Sequence, residues 1–177
     1  WITIGLFFRR KLRKVGNPIG LLAHIEDYTL RELDLTNEIS GRNELMSKAS
    51  EIEKNFSMPK LKFPKMWDEL SNRHVLVMEE IVHPTLEQHL EEGTLSWPDM
   101  LELFRIHGAF MFGIGTFHGD LHPGNAMMDD KGNFIFIDTG AICNAPDHVR
   151  NALFGFFYFL AKGELRHAYD AMLTMAD

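Results

Sequence analysis

The pattern of apolar and polar residues predicts a short β-hairpin in the second half of the chain. Two apolar runs rich in strand-forming residues, Asn125–Met128 and Asn133–Ile137, flank the turn sequence Asp129–Gly132. A hairpin folded about this turn brings Asn125 and Asp138 to the same end, although thirteen positions separate them. We therefore expect the polar residues on either side of the hairpin to meet there.

A long charged stretch, about Ile19–Glu53, has the residue spacing of a helix. Asp34 and Glu38 stand one turn apart in this stretch and would share one face. Two carboxylates on one face repel each other unless a cation lies opposite them. The alternative is a solvated helix in which Glu38 pairs with Arg42 at i, i+4, and the sequence favours neither.

Short elements are predicted between this helix and the hairpin. Met58–Lys65 contains two prolines and is predicted to be a loop, which leads into strands at Lys65–Leu70 and Arg73–Ile81. A short helix at Thr85–Glu92 follows and is ended by Gly93.

The next helix has a clear start signal. Ser96 is a capping residue, Pro98 falls in the first turn, and the helical spacing extends to about Thr116. Its predicted buried side consists of small and apolar residues at helical spacing. These residues are Leu101, Phe104, Gly108, Met111 and Gly115.

Helices are also predicted at both ends of the chain. Asp147–Lys162 is apolar almost all round, so we expect this helix to be buried. Gly163 breaks it, and another helix begins in Glu164–Met175. Residues 1–16 have the pattern of a basic amphipathic helix. Such a helix either lies on an anionic membrane surface or packs on the domain with its basic face in solvent.

Composition narrows the class of protein. Of the 177 residues 45% are hydrophobic, which is enough for a packed core, and the net charge of −7 argues against nucleic acid as the main partner. The single cysteine, Cys143, excludes an intrachain disulfide and is compatible with a reducing compartment. No apolar run approaches the roughly 20 residues that span a bilayer. The start at Trp1 indicates a fragment.

Polar residues cluster on both sides of the predicted hairpin. The stretch before it reads H-G-D-L-H-P-G-N, and the stretch after it reads D-T-G. Protein kinases carry H-R-D-L-x-x-x-N followed by D-F-G, with the same offset from the first aspartate to the asparagine. By this comparison Asp120 orients the phosphoryl acceptor, while Asn125 and Asp138 hold Mg²⁺ through side-chain oxygens.

Two other interpretations of the polar cluster stay open at this point. In the first, His118, Asp120 and His122 are alternating ligands of a transition metal in a metallohydrolase. In the second, the cluster is a polar loop of a hairpin and has no chemical role.

These motifs identify a family resemblance. The chain resembles the UbiB/ADCK family of atypical kinase-like proteins, which are associated with ubiquinone biosynthesis. The matching segments are ELDLTNEISGRNEL, VLVMEEI, HGDLHPGN, DTG and the apolar helix after it, spread over residues 30 to 170. HGDLHPGN alone is also similar to aminoglycoside- and choline-kinase-like phosphotransferases, and the E-x-D…E stretch before VLVMEEI favours the UbiB/ADCK family.

The resemblance implies an α+β, protein-kinase-like fold. Residues 1–80 would be a truncated N-lobe, and residues 81–177 a mostly helical C-lobe that is incomplete at its C-terminus. The K-x-G-Q motif, nucleotide loop and strand-three lysine of the family would precede Trp1, so the isolated fragment is expected to be inactive. Thr139 replaces the usual Phe and Gly119 the usual Arg of kinases. Switching by activation-loop phosphorylation is therefore not expected.

The resemblance also implies roles for individual residues. Asp120 would be catalytic, as would Glu38, the helix glutamate that pairs with the phosphate-binding lysine. Asn125 and Asp138 would hold Mg²⁺. Contacts to the nucleotide would come from the hinge and from the E-x-D pair. These residues are Met78, Glu79, Ile81, Glu32 and Asp34.

The resemblance implies an atypical kinase or ATPase that uses ATP and Mg²⁺ in ubiquinone or isoprenoid-lipid metabolism. One alternative is a phosphotransferase that acts on small molecules, similar to aminoglycoside and choline kinases. Another is an ATP-binding scaffold without turnover. The expected partners are ATP, a lipid or membrane surface and a biosynthetic protein complex, with no nucleic acid.

Overall fold

The computed structural model describes residues 33–175 without a gap and, before them, residues 20, 22, 23, 25, 26, 29 and 30. The basic helix predicted for residues 1–16 lies outside the described residues. So does Glu32 of the E-x-D pair.

Helices and short strands alternate along the described part of the chain. From residue 33 onward the helices are α1 (Thr36–Ile52), α2 (Leu86–Glu91), α3 (Trp97–Gly108), α4 (Asp147–Ala161) and α5 (Leu165–Leu173). The strands are β1 (Leu61–Lys62), β2 (Thr116–His118), β3 (Ala126–Met128), β4 (Phe134–Phe136) and β5 (Ile142–Asn144). The remaining elements are 3-10 turns at Asp68–Leu70 and Pro123–Asn125, and a π-helix at Ala109–Ile114. This mixture confirms the predicted α+β class.

Strands β3 and β4 form the predicted hairpin. They pair antiparallel with Met127 opposite Ile135, and the N–H of Gly132 closes the turn by donating to the carbonyl of Asp129 at 2.8 Å. On its other edge β4 pairs in parallel with β1, so the sheet order is β1-β4-β3. The prediction of the hairpin and of its turn is confirmed.

A second sheet fixes the polar segments on either side of the hairpin. Strands β2 and β5 pair antiparallel, with Phe117 opposite Cys143. The chain enters the H-G-D-L loop directly from β2, and it enters β5 shortly after Gly140. The two segments that carry the polar residues are therefore held side by side by backbone hydrogen bonds.

The core packs the hairpin against α1 and α3. Phe110, Phe134 and Phe136 are among its largest side chains, and each is at most 1% exposed. Burying one aromatic side chain of this size contributes about 1.5–3 kcal/mol to stability. The strands next to the polar residues are thus anchored by the best-packed part of the described chain.

The long helix predicted for residues 19–53 is not continuous. A turn at residues 33–35 precedes α1, which begins at Thr36. Asp34 lies in this turn, where its carboxylate accepts hydrogen bonds from the N–H and the hydroxyl of Thr36, at 3.2 and 2.6 Å. An aspartate that binds the backbone just ahead of a helix competes with helix formation at its own position. The predicted shared face of Asp34 and Glu38 is therefore wrong.

The two strands predicted for residues 65–70 and 73–81 are also wrong as regular strands. The segments meet antiparallel only through single bridges, such as Met66 with Met78, and the 3-10 turn interrupts the first of them. That turn begins with two acidic residues, which are poor strand formers. The regular strand of this region is β1, inside the stretch predicted to be a loop.

The start of α3 is confirmed, but its buried side is not the predicted one. The side chain of Ser96 accepts a hydrogen bond from the N–H of Asp99 and caps the helix. Ile106 and Phe110 are buried, whereas Leu101 and Phe104 are 49 and 58% exposed. Leu101 and Phe104 both lie in the regular part of the helix, so the prediction chose the wrong face there.

The π-helix changes the direction of the chain before the polar loop. The N–H of Gly115 donates to the carbonyl of Phe110, five residues earlier, at 2.8 Å. Gly115 then adopts φ +85°, a backbone conformation that favours glycine, and leads directly into β2. The helix and its glycine terminus therefore set the entry of the chain into the polar loop.

Helix α4 is not buried as its sequence predicts. Phe154, Phe157 and Tyr158 are 56, 49 and 45% exposed, although Phe112 contacts the first two edge to face. Only Ala152 of this helix is buried. In the described part of the chain, α5 and the π-helix cover one side of α4 and leave an aromatic side open.

The short helix α2 has the predicted bounds to within one residue. Thr85 accepts from the N–H of Gln88 at 3.2 Å, and the side chain of Gln88 accepts from the N–H of Thr85 at 2.8 Å. This is a capping box, and Gly93 follows the helix with φ +66°.

Across the described residues, no helix combines the length and the hydropathy that a membrane span requires.

Candidate active site

The end of the hairpin opposite its turn brings Asn125 and Asp138 together. The N–H of Ile137 donates to the carbonyl of Asn125 at 3.1 Å, and Asp138 is the next residue. Asn125 is 7% exposed and ends the 3-10 turn that precedes β3. The predicted meeting of these two residues at one end of the hairpin is confirmed.

The orientation of the Asn125 side chain is fixed. Its Nδ2 donates to the backbone carbonyl of Asp120 at 3.0 Å. An amide side chain carries its donor and its acceptor on opposite branches. Because Nδ2 is directed to the loop, Oδ1 is presented on the other side as an acceptor. The same contact ties the backbone of Asp120 to the hairpin end.

His118 is the buried residue that leads from β2 into the loop of Asp120. It is 2% exposed, packs edge to face on Phe136, and its Nδ1 accepts from the N–H of Asp120 at 3.2 Å. Burial lowers the pKa of His118, while the backbone and charge of Asp138 and the charge of Asp120 act in the opposite direction. Charges act on a pKa over a few ångströms. The pKa of His118 is therefore lowered mainly because the ring is buried.

The metallohydrolase interpretation is wrong for this loop. The Nδ1 of His122 accepts from the N–H of Gly124 at 3.0 Å, as the Nδ1 of His118 does from Asp120. Within the described part of the chain, no group of three or more His, Cys, Asp or Glu side chains is placed to hold a metal ion. The two imidazoles instead stabilise the loop backbone.

Glu38 contacts the residue that follows Asp138. Its carboxylate accepts from the N–H of Thr139 at 2.7 Å, and the hydroxyl of Thr139 donates to the backbone carbonyl of Glu38 at 2.8 Å. The carboxylate of Glu38 also occupies the space where a side chain at Gly140 would lie. Helix α1 thus carries Glu38 directly to the D-T-G segment, 100 residues along the chain.

Glycine at position 119 is required by the neighbouring strand. A Cβ atom there would lie 2.7 Å from Sγ of Cys143 and 3.1 Å from the carbonyl of Ala141. The N–H of Gly119 donates to that same carbonyl at 2.7 Å. The arginine that kinases usually carry at this position cannot fit against β5 without moving it.

The predicted hinge residues lie apart from the polar residues at the hairpin end. The N–H of Glu79 donates to the carbonyl of Lys65 at 2.8 Å, and its carboxylate accepts from the N–H of Lys65 at 3.0 Å. Glu79 and Ile81 line a cavity of about 280 Å³ beside Asp129, at the turn end of the hairpin. Met78 is half-buried next to Met66. The cavity does not include the residues at the opposite end of the hairpin.

Asp34 likewise makes its contacts away from the hairpin end, with Thr36 and Arg73. Besides its bonds to Thr36, it forms an ion pair with Nε of Arg73 at 3.5 Å. The hydrogen bond from Thr36 is the main cause that lowers the pKa of Asp34, and the charge of Arg73 adds to it. These contacts hold the start of α1 against the irregular hairpin of residues 65–81.

Asp129 is the structural centre of the hairpin turn. Its carboxylate accepts from the side chain and backbone of Asn133, from Nζ of Lys62 at 2.9 Å, and from the N–H of Lys131. Burial alone would raise the pKa of Asp129, but these donors outweigh it and hold the pKa well below its usual range. The turn therefore keeps an ionised carboxylate at its centre.

Sequence reasoning missed two residues of the site, Thr139 and Gly41. Thr139 is 0% exposed, and Gly41 allows its carbonyl to approach α1. A glycine inside a charged helix was the one available signal, because such a glycine often marks a close approach of backbone. The sequence does not say which segment approaches.

The sequence can now be placed in a family, since it matches the ABC1 atypical kinase-like domain over residues 4–172. The chain belongs to the ABC1 atypical kinase-like family. Its structure is similar to that of Rv3197 from Mycobacterium tuberculosis, solved in complex with erythromycin, with a TM-score of 0.58 and 19% sequence identity. The similarity covers 93% of this chain and 44% of Rv3197. The predicted α+β, kinase-like fold of a partial chain is confirmed.

Two structures of the bifunctional kinase-methyltransferase WbdD are also similar to this ABC1 chain. Their TM-scores are 0.44 and 0.45, their identities 22 and 23%, and they cover 75 and 77% of this chain but 28 and 29% of WbdD. The ABC1 chain spans less than half the length of each of these solved structures.

The donors at the hairpin end of this ABC1 domain fit a hard divalent cation. Asn125 offers an amide oxygen and Asp138 a carboxylate, which are oxygen ligands of the kind that Mg²⁺ prefers. Mg²⁺ typically takes few protein ligands and completes its shell with water and phosphate oxygens. The residues present are therefore compatible with Mg²⁺ bound together with a nucleotide.

Proposed function

We propose that this chain is the metal-binding and catalytic part of a Mg-ATP-dependent phosphotransferase or ATPase. The observation that carries the proposal is the convergence of Asn125, Asp138 and Asp120 at one end of the hairpin. The side chain of Asn125 is oriented by the backbone of Asp120, and the backbone of Asn125 is bonded to the residue before Asp138. Membership of the ABC1 atypical kinase-like family supports the same reaction class.

We assign a role to each residue from the kinase motif and from its place at the hairpin end. Asn125 and Asp138 would hold Mg²⁺, which when bound offsets the negative charge of the phosphates. Asp120 is exposed at the mouth of the loop and would orient the attacking hydroxyl or water and accept its proton. Glu38, through Thr139, would keep the segment of Asp138 in place.

Within the ABC1 family we assign the chain to the UbiB/ADCK group, with a function in ubiquinone or isoprenoid-lipid metabolism. The motifs before and after the hinge support this assignment, and the division into an N-lobe up to residue 80 and a C-lobe beyond it goes with it. Lipid or membrane surfaces and a biosynthetic complex are the partners that such a function requires.

The central test is Mg²⁺-dependent nucleotide binding by the intact protein and by its Asp138→Ala variant. Asp138→Ala removes the only charged metal ligand that we assign, so we expect binding of a fluorescent ATP analogue in the presence of Mg²⁺ to fall at least tenfold. Asp130→Ala, an exposed aspartate at the far end of the same hairpin, is the matched control and should bind like the wild type. Unchanged binding by Asp138→Ala would contradict the proposal.

Turnover distinguishes an enzyme from an ATP-binding scaffold. Phosphate release from γ-labelled ATP should be measured for the intact protein and for Asp120→Asn, which keeps the size of the side chain and removes its basicity. We expect release by the wild type and a loss of about 10²–10⁴-fold in the variant, the usual contribution of general acid–base catalysis. Nucleotide binding without release in either protein would favour the scaffold.

A further inference from the structure

We propose that Thr139 and Gly41 are positioning residues that lock helix α1 to the D-T-G segment and thereby preset the carboxylate of Asp138. The two residues, with Glu38 and Gly140, form what we call the helix latch. The part of this proposal that concerns Mg²⁺ rests on the proposed function. The latch itself rests on contacts within the protein.

The first part of the latch is a pair of hydrogen bonds that run in opposite directions. The N–H of Thr139 donates to Oε2 of Glu38 at 2.7 Å, and Oγ1 of Thr139 donates to the carbonyl of Glu38 at 2.8 Å. One residue of the loop is therefore bound to both the side chain and the backbone of one residue of the helix. Such a two-point contact fixes an orientation as well as a distance, which a single bond does not.

The second part of the latch is the absence of side chains at two glycines. A Cβ atom at Gly41 would overlap the carbonyl oxygen of Thr139, and one at Gly140 would overlap the carboxylate of Glu38. Helix and loop therefore approach each other to a separation that only glycine permits. Thr139 is 0% exposed as a result, so water does not compete for its hydrogen bonds.

The latch makes separation of α1 from the loop costly. If the helix moved outward, the N–H and hydroxyl of Thr139 would lose their partners at the same time, and groups left without partners in a buried place are strongly disfavoured. Protein kinases carry Phe at this position and control activity by moving the corresponding helix. A threonine bound to the helix backbone opposes that movement. In this chain, control by displacement of α1 is therefore not expected.

The decisive variants are Thr139→Val and Thr139→Ser in the intact protein. Valine has nearly the same size but no hydroxyl, whereas serine keeps the hydroxyl and is the matched control. Two quantities should be measured, namely hydrogen exchange of the backbone N–H at position 139 and the Mg²⁺ concentration that gives half-maximal nucleotide binding. For valine we expect exchange and the required Mg²⁺ concentration each to rise about two- to tenfold, the effect of one lost hydrogen bond. Serine should resemble the wild type.

A second pair of variants tests the close approach of helix and loop. Gly41→Ala places a methyl group against Thr139, whereas Gly155→Ala in α4 meets only ordinary contact distance, 3.5 Å from Cβ of Ala171. We expect faster exchange at position 139 and a higher Mg²⁺ requirement in Gly41→Ala, and neither effect in Gly155→Ala. Because alanine favours helix over glycine, loss of helix stability would not explain the result.

The outcomes separate the latch from the proposed function. Unchanged exchange at position 139 in Thr139→Val overturns the latch. Faster exchange with an unchanged Mg²⁺ requirement overturns its positioning role, because the contact would then be only structural. If the wild type binds no nucleotide with Mg²⁺, the proposed function and the positioning role both fail, while the exchange rates still decide whether helix and loop are locked.

Discussion

At the scale of single residues, the spacing of polar positions predicted which side chains meet but not how they are oriented. The offset between Asp120 and Asn125 and the hairpin turn were enough to bring Asn125 and Asp138 together. The orientation of the Asn125 side chain depends on its hydrogen bond to the loop backbone, and the hydrogen bonds of Thr139 depend on a helix residue 101 positions earlier. No local pattern encodes such contacts, so they appear only in the folded chain.

Two histidines, one buried and one half-buried, predict a loss of stability in mild acid. Burial lowers the pKa of His107 and of His118 below the ordinary value of 6.5, and the charge of His118 lowers that of His107 further. Just below pH 6.5 the unfolded chain binds protons at these positions and the folded chain does not. The free energy of unfolding therefore falls as the pH drops through this window, by up to about 1.4 kcal/mol per pH unit for each proton.

Chemical denaturation between pH 7.5 and pH 5 measures this dependence. His107→Gln removes one of the two groups, so its unfolding free energy should fall less steeply below pH 6.5 than that of the wild type. Equal slopes for the two proteins would show that His107 binds its proton equally well in the folded and the unfolded chain.

At the scale of elements, boundaries set by local chemistry were predictable and boundaries set by packing were not. The cap at Ser96 acts on its own helix and was correctly placed, and α2, which Thr85 caps, has its predicted bounds to within one residue. The two-residue strand β1 exists because its neighbour β4 supplies hydrogen bonds across the sheet. The π-helix was not predictable either, because its widened turn has no signature in the order of its residues. Strand and helix propensities are too weak to decide such cases.

The hairpin turn yields a prediction for a single carboxylate. Asp129→Ala removes the acceptor of several hydrogen bonds from Lys62, Lys131 and Asn133, and we expect it to lower the free energy of unfolding by about 1.5–3 kcal/mol. Asp130→Ala changes the neighbouring exposed aspartate and should alter stability by no more than about 0.5 kcal/mol. Urea denaturation measures the free energy of unfolding of both variants. Equal losses of stability would show that the turn does not depend on Asp129.

At the scale of the whole molecule, α4 and α5 leave an apolar surface exposed, although the sequence predicts burial of α4. We call it the α4/α5 surface, and it comprises large side chains that are at least 44% exposed. These are Phe154, Phe157, Tyr158, Leu160, Leu165, Tyr169, Met172 and Leu173. An apolar helix normally packs on all sides, and the chain spans less than half the length of its solved structural neighbours. The apolar pattern of α4 predicts that the helix is buried, but it does not identify the segment or partner that covers it.

This surface predicts self-association of the 177-residue chain in isolation. Contiguous exposed apolar area of this kind favours association in water. Leu165 and Tyr169 are 68 and 61% exposed, so replacing both with Gln should weaken association while changing the stability of the fold little. Sedimentation velocity over a range of protein concentrations measures the effect. A wild-type chain that stays monomeric at every concentration would contradict the prediction.

The π-helix at Ala109–Ile114 makes the length of this segment more important than its composition. Successive residues of an α-helix are rotated by about 100° from one another, and a π-turn accommodates one residue more than an α-turn. The widened turn therefore takes up its extra residue without rotating the chain on one side against the other. Phe110 keeps its buried place and the chain still enters β2 and the loop of Asp120. A residue inserted into the regular turns of α3, by contrast, would rotate either Phe110 or the loop of Asp120 out of place.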